Sequence, residues 1–275
     1  MKIKSAKFVK SVASEKELIK DGLIEIAFAG KSNVGKSSFI NALCSQKKLA
    51  KTSSLPGRTR LVNYFIINDS FYFVDLPGYG YAQAGQNNKE MWAQLLENYL
   101  IKSEKLKLVL MLVDIRHDPT ELDKIMLKFL YRRQIPFKII ATKADKIAKS
   151  KVAQYVQNVA KVLGVGKDDI IPVSSENGWG LDKVLDELQA VYDFHNSLEL
   201  EKLAIEYDAK LFATLLSGEK YDKFFNQITA GIAEKNYDEK LLEQLKDMQI
   251  IEVGQDEIML TDLGEKVLEF RNLTK

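Results

Sequence analysis

The chain has 275 residues and a mass of 31.2 kDa, which gives room for two domains or for one large domain with an appendage. With 46% hydrophobic and 28% charged residues, 15 Gly and 5 Pro, it has the composition of a soluble globular protein; collagen-like, low-complexity and wholly disordered classes are excluded. The formal charge of +2 hides a split: residues 1–195 carry 30 Lys/Arg against 21 Asp/Glu, net +9, and residues 196–275 carry 10 against 17, net −7. That asymmetry fits a polyanion-binding part with an acidic appendage, or two separately solvated surfaces. A single cysteine, Cys44, excludes an internal disulfide framework and a zinc-type cysteine cluster. No apolar run reaches the roughly 18 residues of a membrane span, and the basic opening MKIKSAKFVKSVASEKEL has no apolar h-region, so a cytoplasmic protein with no membrane partner is expected.

From Leu23 onward, apolar strand-like runs alternate with longer segments of helical period, the pattern of an α/β fold around a mainly parallel sheet. The first strand, residues 24–29, leads into Gly30-Lys31-Ser32-Asn33-Val34-Gly35-Lys36-Ser37 and a helix over 36–46, with Cys44 on its core side. This G-x-x-x-x-G-K-S between strand and helix is a phosphate loop. Its glycines let backbone N–H groups close on phosphate oxygens, Lys36 sets a compact charge against the β and γ phosphates, and the Ser37 hydroxyl can ligate Mg²⁺.

A polar, Gly/Pro-broken loop follows, Thr52-Ser53-Ser54-Leu55-Pro56-Gly57-Arg58-Thr59-Arg60. It can offer a second hydroxyl to Mg²⁺, from Thr59 or from Thr52, Ser53 or Ser54, and Arg58 or Arg60 can meet phosphate or acidic groups. Strands over 61–67 and 71–74 are separated by three residues, too short for a crossover, which predicts an antiparallel hairpin at one edge of the sheet. The hairpin delivers Asp75-Leu76-Pro77-Gly78: a carboxylate able to hold Mg²⁺ through water, then a glycine N–H open to a γ-phosphate.

Helices are predicted over 89–102, 120–133, 149–163 and 181–194, and strands over 106–113, 137–141 and 170–173, giving six strands and five helices. At the end of the fifth strand stands Thr142-Lys143-Ala144-Asp145. The Asp145 carboxylate can accept from the N1–H and exocyclic amine of guanine, a pair adenine does not offer, and the Lys143 stem can cover the base. After the sixth strand, Val173-Ser174-Ser175 and Asn177-Gly178 can present backbone N–H to the guanine O6. The two histidines, His117 and His195, fall at loop or helix-end positions and read as surface residues.

Beyond residue 195 the pattern changes to long helical stretches, two short strand-like pieces at 250–253 and 257–260 around Gly254, and a helix over 262–271. This order resembles a winged-helix module, with residues 238–249 near the recognition-helix position; its net charge argues against DNA and for a protein partner or a structural cap.

Phosphate loop, threonine loop, D-x-x-G, T-K-x-D and Ser-Ser loop, in this order, are the five motifs of translation-factor-like P-loop GTPases. GKSNVGKSS, LPGRT and above all DLPGYGYA closely resemble the EngB/YihA (YsxC-like) family of small bacterial GTPases over residues 5–194. The resemblance implies a Ras-like fold, a six-stranded mixed sheet flanked by helices, in a G domain of residues 1–195. It leaves residues 196–275 as a winged-helix-like addition that family members usually lack. It further implies binding of GTP and GDP with Mg²⁺, GTP hydrolysis, and a monomer acting with rRNA and proteins of the large ribosomal subunit or its precursor in late assembly, with cell division and septation as further family associations. Carried over by residue, Gly30 to Ser38 surround the phosphates, and Ser37, Thr59 and Asp75 hold Mg²⁺. Lys36, Thr59 and Gly78 serve hydrolysis, with Gly57, Arg58, Leu76 and Pro77 beside them. Thr142, Lys143, Ala144 and Asp145 read guanine, and Val173, Ser174 and Ser175 close over the base. Tyr79 stands where Ras-like enzymes place the water-orienting glutamine, so hydrolysis is expected to be slow without an activating partner. Asn33 either resembles the loop asparagine of GTPases in which K⁺ assists hydrolysis or simply ties down the loop. A GTP-gated adaptor recruiting a protein through the acidic segment is the competing expectation.

Overall fold

The computed structural model describes residues 1–50, 61–79, 96–230, 238–254 and 257–273, and divides into two compact units, 1–192 and 193–275. The first unit is built on β1 (Ala6–Val12), β2 (Glu25–Gly30), β3 (Val62–Ile67), β4 (Phe71–Asp75), β5 (Leu106–Asp114), β6 (Phe137–Thr142) and β7 (Ile170–Pro172), in the order β1-β3-β4-β2-β5-β6-β7. β2 pairs parallel with both β4 and β5, and all six of its residues are buried, as for a central strand covered on both faces.

The sheet has seven strands rather than the expected six, because the basic opening segment pairs antiparallel with β3. The β3–β4 hairpin is antiparallel as expected, but it is not the edge: β1 takes that place. Only Ala6 and Val12 of β1 are buried, and a register shift between Phe8 and Lys10 breaks the two-residue alternation that marks a strand in sequence.

Helices α1 (Lys36–Leu43), α2 (Glu121–Arg132), α3 (Val152–Leu163) and α4 (Leu181–Leu215) connect or follow these strands, and residues 96–102 are also helical. Two apolar layers cover the two faces of the sheet. One gathers Phe28, Phe39, Ile40, Phe73, Leu110 and Leu188; the other gathers Tyr64, Val74, Tyr99, Met111 and Leu130. Cys44 is buried in the first layer, and burial pushes its thiol up to about 12. His117 is exposed and His195 half-buried. α4 does not stop at 194: no glycine or proline interrupts it, and the Ser197 hydroxyl turns back on the Phe194 carbonyl, so the helix runs on to Leu215.

The second unit contains the rest of α4, then α5 (Glu219–Thr229), α6 (Glu239–Asp247), the antiparallel pair β8 (Ile251–Val253) and β9 (Ile258–Leu260), and α7 (Asp262–Leu273). Phe224, Phe225, Leu241, Leu245, Ile250 and Val267 form its core. Arg271 is buried, bonded to Asp222 and lying over the Phe225 ring, so α7 is fixed to α5 by charge as well as by apolar contact. Among the described residues no helix is long and apolar enough to cross a membrane.

Candidate functional site

The C-terminal ends of β2, β4, β5, β6 and β7 lie along one rim of the sheet, the edge at which open α/β sheets bind ligands. At the first of them β2 ends at Gly30, whose missing side chain is necessary: a Cβ there would lie 2.9 Å from Val34 and 3.1 Å from Leu112. The loop then bends through left-handed backbone at Asn33 (φ 66°) and at Gly35 (φ 104°), the N-cap of α1. The N-terminal N–H groups of α1 are thereby presented at the rim, where anions are favoured.

Lys36 and Asp75 converge at this point. Both are buried, Lys36 at 9% and Asp75 at 3% exposure, and they form an ion pair. Removing either would leave an uncompensated buried charge, a loss of about 3–5 kcal/mol. Ser37 is half-buried and Ser38 exposed in the first turn of α1. Leu76 and Pro77 are buried, and Gly78 is seated so closely on the loop that a Cβ would meet the Ser32 backbone at 3.1 Å. The chain after Asp75 continues alongside β2 and the phosphate loop: the Leu76 N–H donates to the Phe28 carbonyl (3.1 Å), Tyr79 N–H to Gly30 (3.2 Å) and Ser32 N–H to Tyr79 (3.0 Å). A cradle of N–H groups and glycines beside an ammonium fits a polyphosphate. Hydroxyl and carboxylate oxygens at Ser37 and Asp75 are the donors a hard cation such as Mg²⁺ takes. Gly57, Arg58 and Thr59, with the rival hydroxyls at 52–54, lie outside the described residues, as do residues 89–95 of the helix expected over 89–102.

The β6 end is tied to the same loop. The Thr142 hydroxyl donates to the Val34 carbonyl (2.7 Å) and the Lys143 ammonium to the Asn33 backbone carbonyl (3.0 Å), which joins the loop to the end of β6 and the residue after it. Ala144 is buried, and its N–H donates to the carbonyl of buried Val173 (3.0 Å), which sets the two loops side by side. Asp145 receives the Ser174 hydroxyl at 2.8 Å and pairs with Lys146 at 3.0 Å. Burial alone would raise its carboxyl, but the bonds from Ser174 and Lys146 outweigh burial and hold it below the usual carboxylate range. Ser174 Oγ in turn accepts from the Glu176 and Asn177 N–H groups, while Ser175 is half-buried beside it. Gly180, with φ 77°, closes this loop against β7; a Cβ there would sit 2.3 Å from the Pro172 carbonyl oxygen.

Two groups at this rim were missed in the sequence. Asp114, at the end of β5, accepts two bonds from the Arg116 guanidinium (3.0 and 2.8 Å) and pairs with Lys143 at 3.0 Å. Against the opposing effect of burial, those cations hold its carboxyl well below the usual range. Its signal was available: a carboxylate at a strand's C-terminal end, the same feature that drew attention to Asp75 and Asp145. Asp123, in the first turn of α2, is the second, and its partner is Tyr79.

The comparisons with known proteins agree with this geometry. A family model described as "50S ribosome-binding GTPase" matches residues 25–143. A probable GTP-binding protein EngB of Clostridium kluyveri is 46% identical over 197 residues, covering 71% of this chain and 100% of the relative. Its counterpart in Chlorobaculum parvum is 47% identical over 191 residues, 68% of this chain and 97% of the relative. Among solved structures, that of a probable GTP-binding protein EngB superposes with a TM-score of 0.51 at 22% identity, covering 62% of this chain and 98% of the other. The structure of Era in complex with MgGDPNP and nucleotides 1506–1542 of 16S ribosomal RNA superposes with a TM-score of 0.50 at 23% identity, over 60% of this chain and 55% of the other. These superpositions establish the Ras-like fold.

Proposed function

The chain belongs to the EngB family of GTP-binding proteins, and on that premise we propose that it is a GTP-operated switch acting on the large ribosomal subunit or its precursor, in late subunit assembly. The protein binds GTP and GDP with Mg²⁺ and hydrolyses GTP. In the proposed division of roles, residues 1–195 are the G domain, and Gly30 to Ser38 hold the phosphates with Lys36 against the β and γ groups. Ser37 and Thr59 supply hydroxyls to Mg²⁺, and Asp75 holds it through water. Mg²⁺ bound there would neutralise charge on the β and γ oxygens. Asp145 reads guanine, with Ser174 fixing its carboxylate, Lys143 lying across the base and Ser175 closing the pocket.

The observation that carries this reading is the joining of three motifs on one loop: Asp75 on Lys36, Thr142 on Val34 and Lys143 on Asn33. Base reader and phosphate holder are thereby fixed relative to each other, as a guanine nucleotide requires. Slow turnover follows from Tyr79, whose buried side chain is engaged with Asp123 and not free to orient a water. The net charge of +9 on residues 1–195 suits an rRNA surface, whose phosphates would draw it in a salt-dependent way. The acidic residues 196–275 are read as a winged-helix-like module facing protein; the order of three helices, a two-stranded sheet and a last helix supports that shape.

Sedimentation with ribosomal particles tests the proposal, with a non-hydrolysable GTP analogue, with GDP and without nucleotide, at low and moderate salt. The expected result is co-sedimentation with the large subunit that depends on the nucleotide and weakens with salt. Equal recovery in all three states, or equal recovery with either subunit, would overturn it.

A further inference from the structure

The side chain that follows the D-x-x-G glycine is latched to a helix. Tyr79 is 6% exposed, and its hydroxyl donates to Asp123 Oδ1 at 2.7 Å; Asp123 is 4% exposed. The other oxygen of that carboxylate accepts from both the Thr120 N–H and the Thr120 hydroxyl, each at 2.7 Å, which forms the capping box of α2. On its backbone side Tyr79 forms a parallel bridge with Lys31, through the bonds to Gly30 and Ser32 already described. Gly78 therefore lies between two fixed points: the Lys36–Asp75 pair before it and the Tyr79 anchor directly after it. Burial, and then the Asp123 charge, push the Tyr79 phenol far up, so it remains a donor at any physiological pH. A cavity of about 230 Å³ lined in part by Ser32, Asn33, Thr120 and Asp123 lies on the Asp123 side of the latch.

We propose that Asp123 is a positioning residue which, through Tyr79, fixes the Gly78 N–H for the third phosphate, so that the first turn of α2 sets the protein's preference for GTP over GDP. This rests on Gly78 reading the γ-phosphate. The latch acts on a contact that GDP lacks, so its loss discriminates between the two nucleotides. A purely structural bond would not, since a general loosening of the site lowers both affinities together.

The test compares affinities of the full-length protein for GDP and for a non-hydrolysable GTP analogue, by competition against fluorescent GDP, with thermal melting alongside. Tyr79→Phe removes one hydroxyl and keeps the ring packed. It is expected to weaken the GTP analogue about tenfold, the worth of one buried hydrogen bond, with GDP changed less than twofold. Asp123→Ala, which removes both acceptor oxygens, should act in the same direction, and in the ratio of the two affinities the double variant should lose no more than the worse single one, because both remove the same bond. Parallel losses of both nucleotides, an unchanged ratio or a raised preference for GTP would each overturn the proposal. Gly78→Ala serves as the control: if it leaves the affinity for the GTP analogue intact, the reading of Gly78 fails, and the latch proposal fails with it for a separate and visible reason. If Tyr79→Phe does not fold, the Asp123→Ala ratio alone decides.

Discussion

Replacing Asp145 by Asn changes one atom and tests the base-reading assignment with a defined magnitude. The carboxylate has two acceptor oxygens, one already steadied by the Ser174 hydroxyl at 2.8 Å and the other beside Lys146 at 3.0 Å. Guanine offers two donors, N1–H and the exocyclic amine. Asn keeps one acceptor, which the Ser174 hydroxyl can still meet, and turns the other into a donor that faces a donor. The loss is one hydrogen bond to a charged group, about 1.5–3 kcal/mol, together with the cost of an unpaired donor, about 1–2 kcal/mol. The sum of about 2.5–5 kcal/mol corresponds to a fall in GDP affinity of roughly 70- to 4000-fold. The Lys146 pair contributes little to this, because Lys146 is exposed. Xanthosine diphosphate carries a carbonyl where guanine has its amine, so it should bind the variant better than GDP does. Displacement of fluorescent GDP by GDP, xanthosine diphosphate and ADP measures all three on parent and variant. A GDP affinity within threefold of the parent, or no gain for the xanthine nucleotide, would refute the assignment.

Three further outcomes follow from the geometry. Gly180→Ala forces a side chain onto left-handed backbone and against the Pro172 carbonyl, so the nucleotide unit should lose about 2–4 kcal/mol and melt several degrees lower; an unchanged melting curve would contradict the close approach. In the second unit, Gly264→Ala would place Cβ 2.0 Å from the Ile250 carbonyl oxygen, so the transition of residues 193–275 should fall while GDP affinity stays within twofold, as calorimetry with nucleotide titration would reveal. Asp114→Asn releases Lys143 and should speed GDP dissociation about tenfold in a stopped-flow chase. Because the Asp114 carboxyl is depressed in the folded protein, its contribution is present above the ordinary carboxylate pKa of about 4 and fades as pH falls below it; acid titration should therefore destabilise the parent more steeply than the variant.

The parts of the molecule that were legible in the sequence are those where chemistry demands particular residues. Gly35 and Lys36, Asp75 and Gly78, and Lys143 and Asp145 are weak signals taken singly; their order and their placement at successive strand C-termini, the edge at which open α/β sheets bind ligands, made them legible together. β1 was illegible because an edge strand buries little: Phe8 and Val9 are exposed, and the bulge between Phe8 and Lys10 erases the period of two. The length of α4 was misread for a related reason, since His195, Asn196 and Ser197 interrupt the apolar pattern without interrupting the backbone bonds. The Tyr79–Asp123 latch joins residues 44 apart in the chain. In sequence Tyr79 registers only as a missing glutamine; its partner is set by where the sheet places α2, which no local pattern records.

The first strand of the sheet has a consequence for handling the protein. Among the described residues β1 has a ladder partner on one side alone; on its other side the Ala6 carbonyl is met by the Gln46 side chain, the strand has no further ladder, and Phe8 and Val9 are exposed. Such an edge can template the addition of further chains in register, the first step towards fibrous aggregate. Lys7 and Lys10 would be brought against their own copies in such a stack, and the bulge at Val9 would put its hydrogen bonds out of step. Charge and irregularity at these few positions keep the exposed edge from becoming adhesive, and solutions at high salt, where the lysines no longer repel, are the ones in which precipitation should begin.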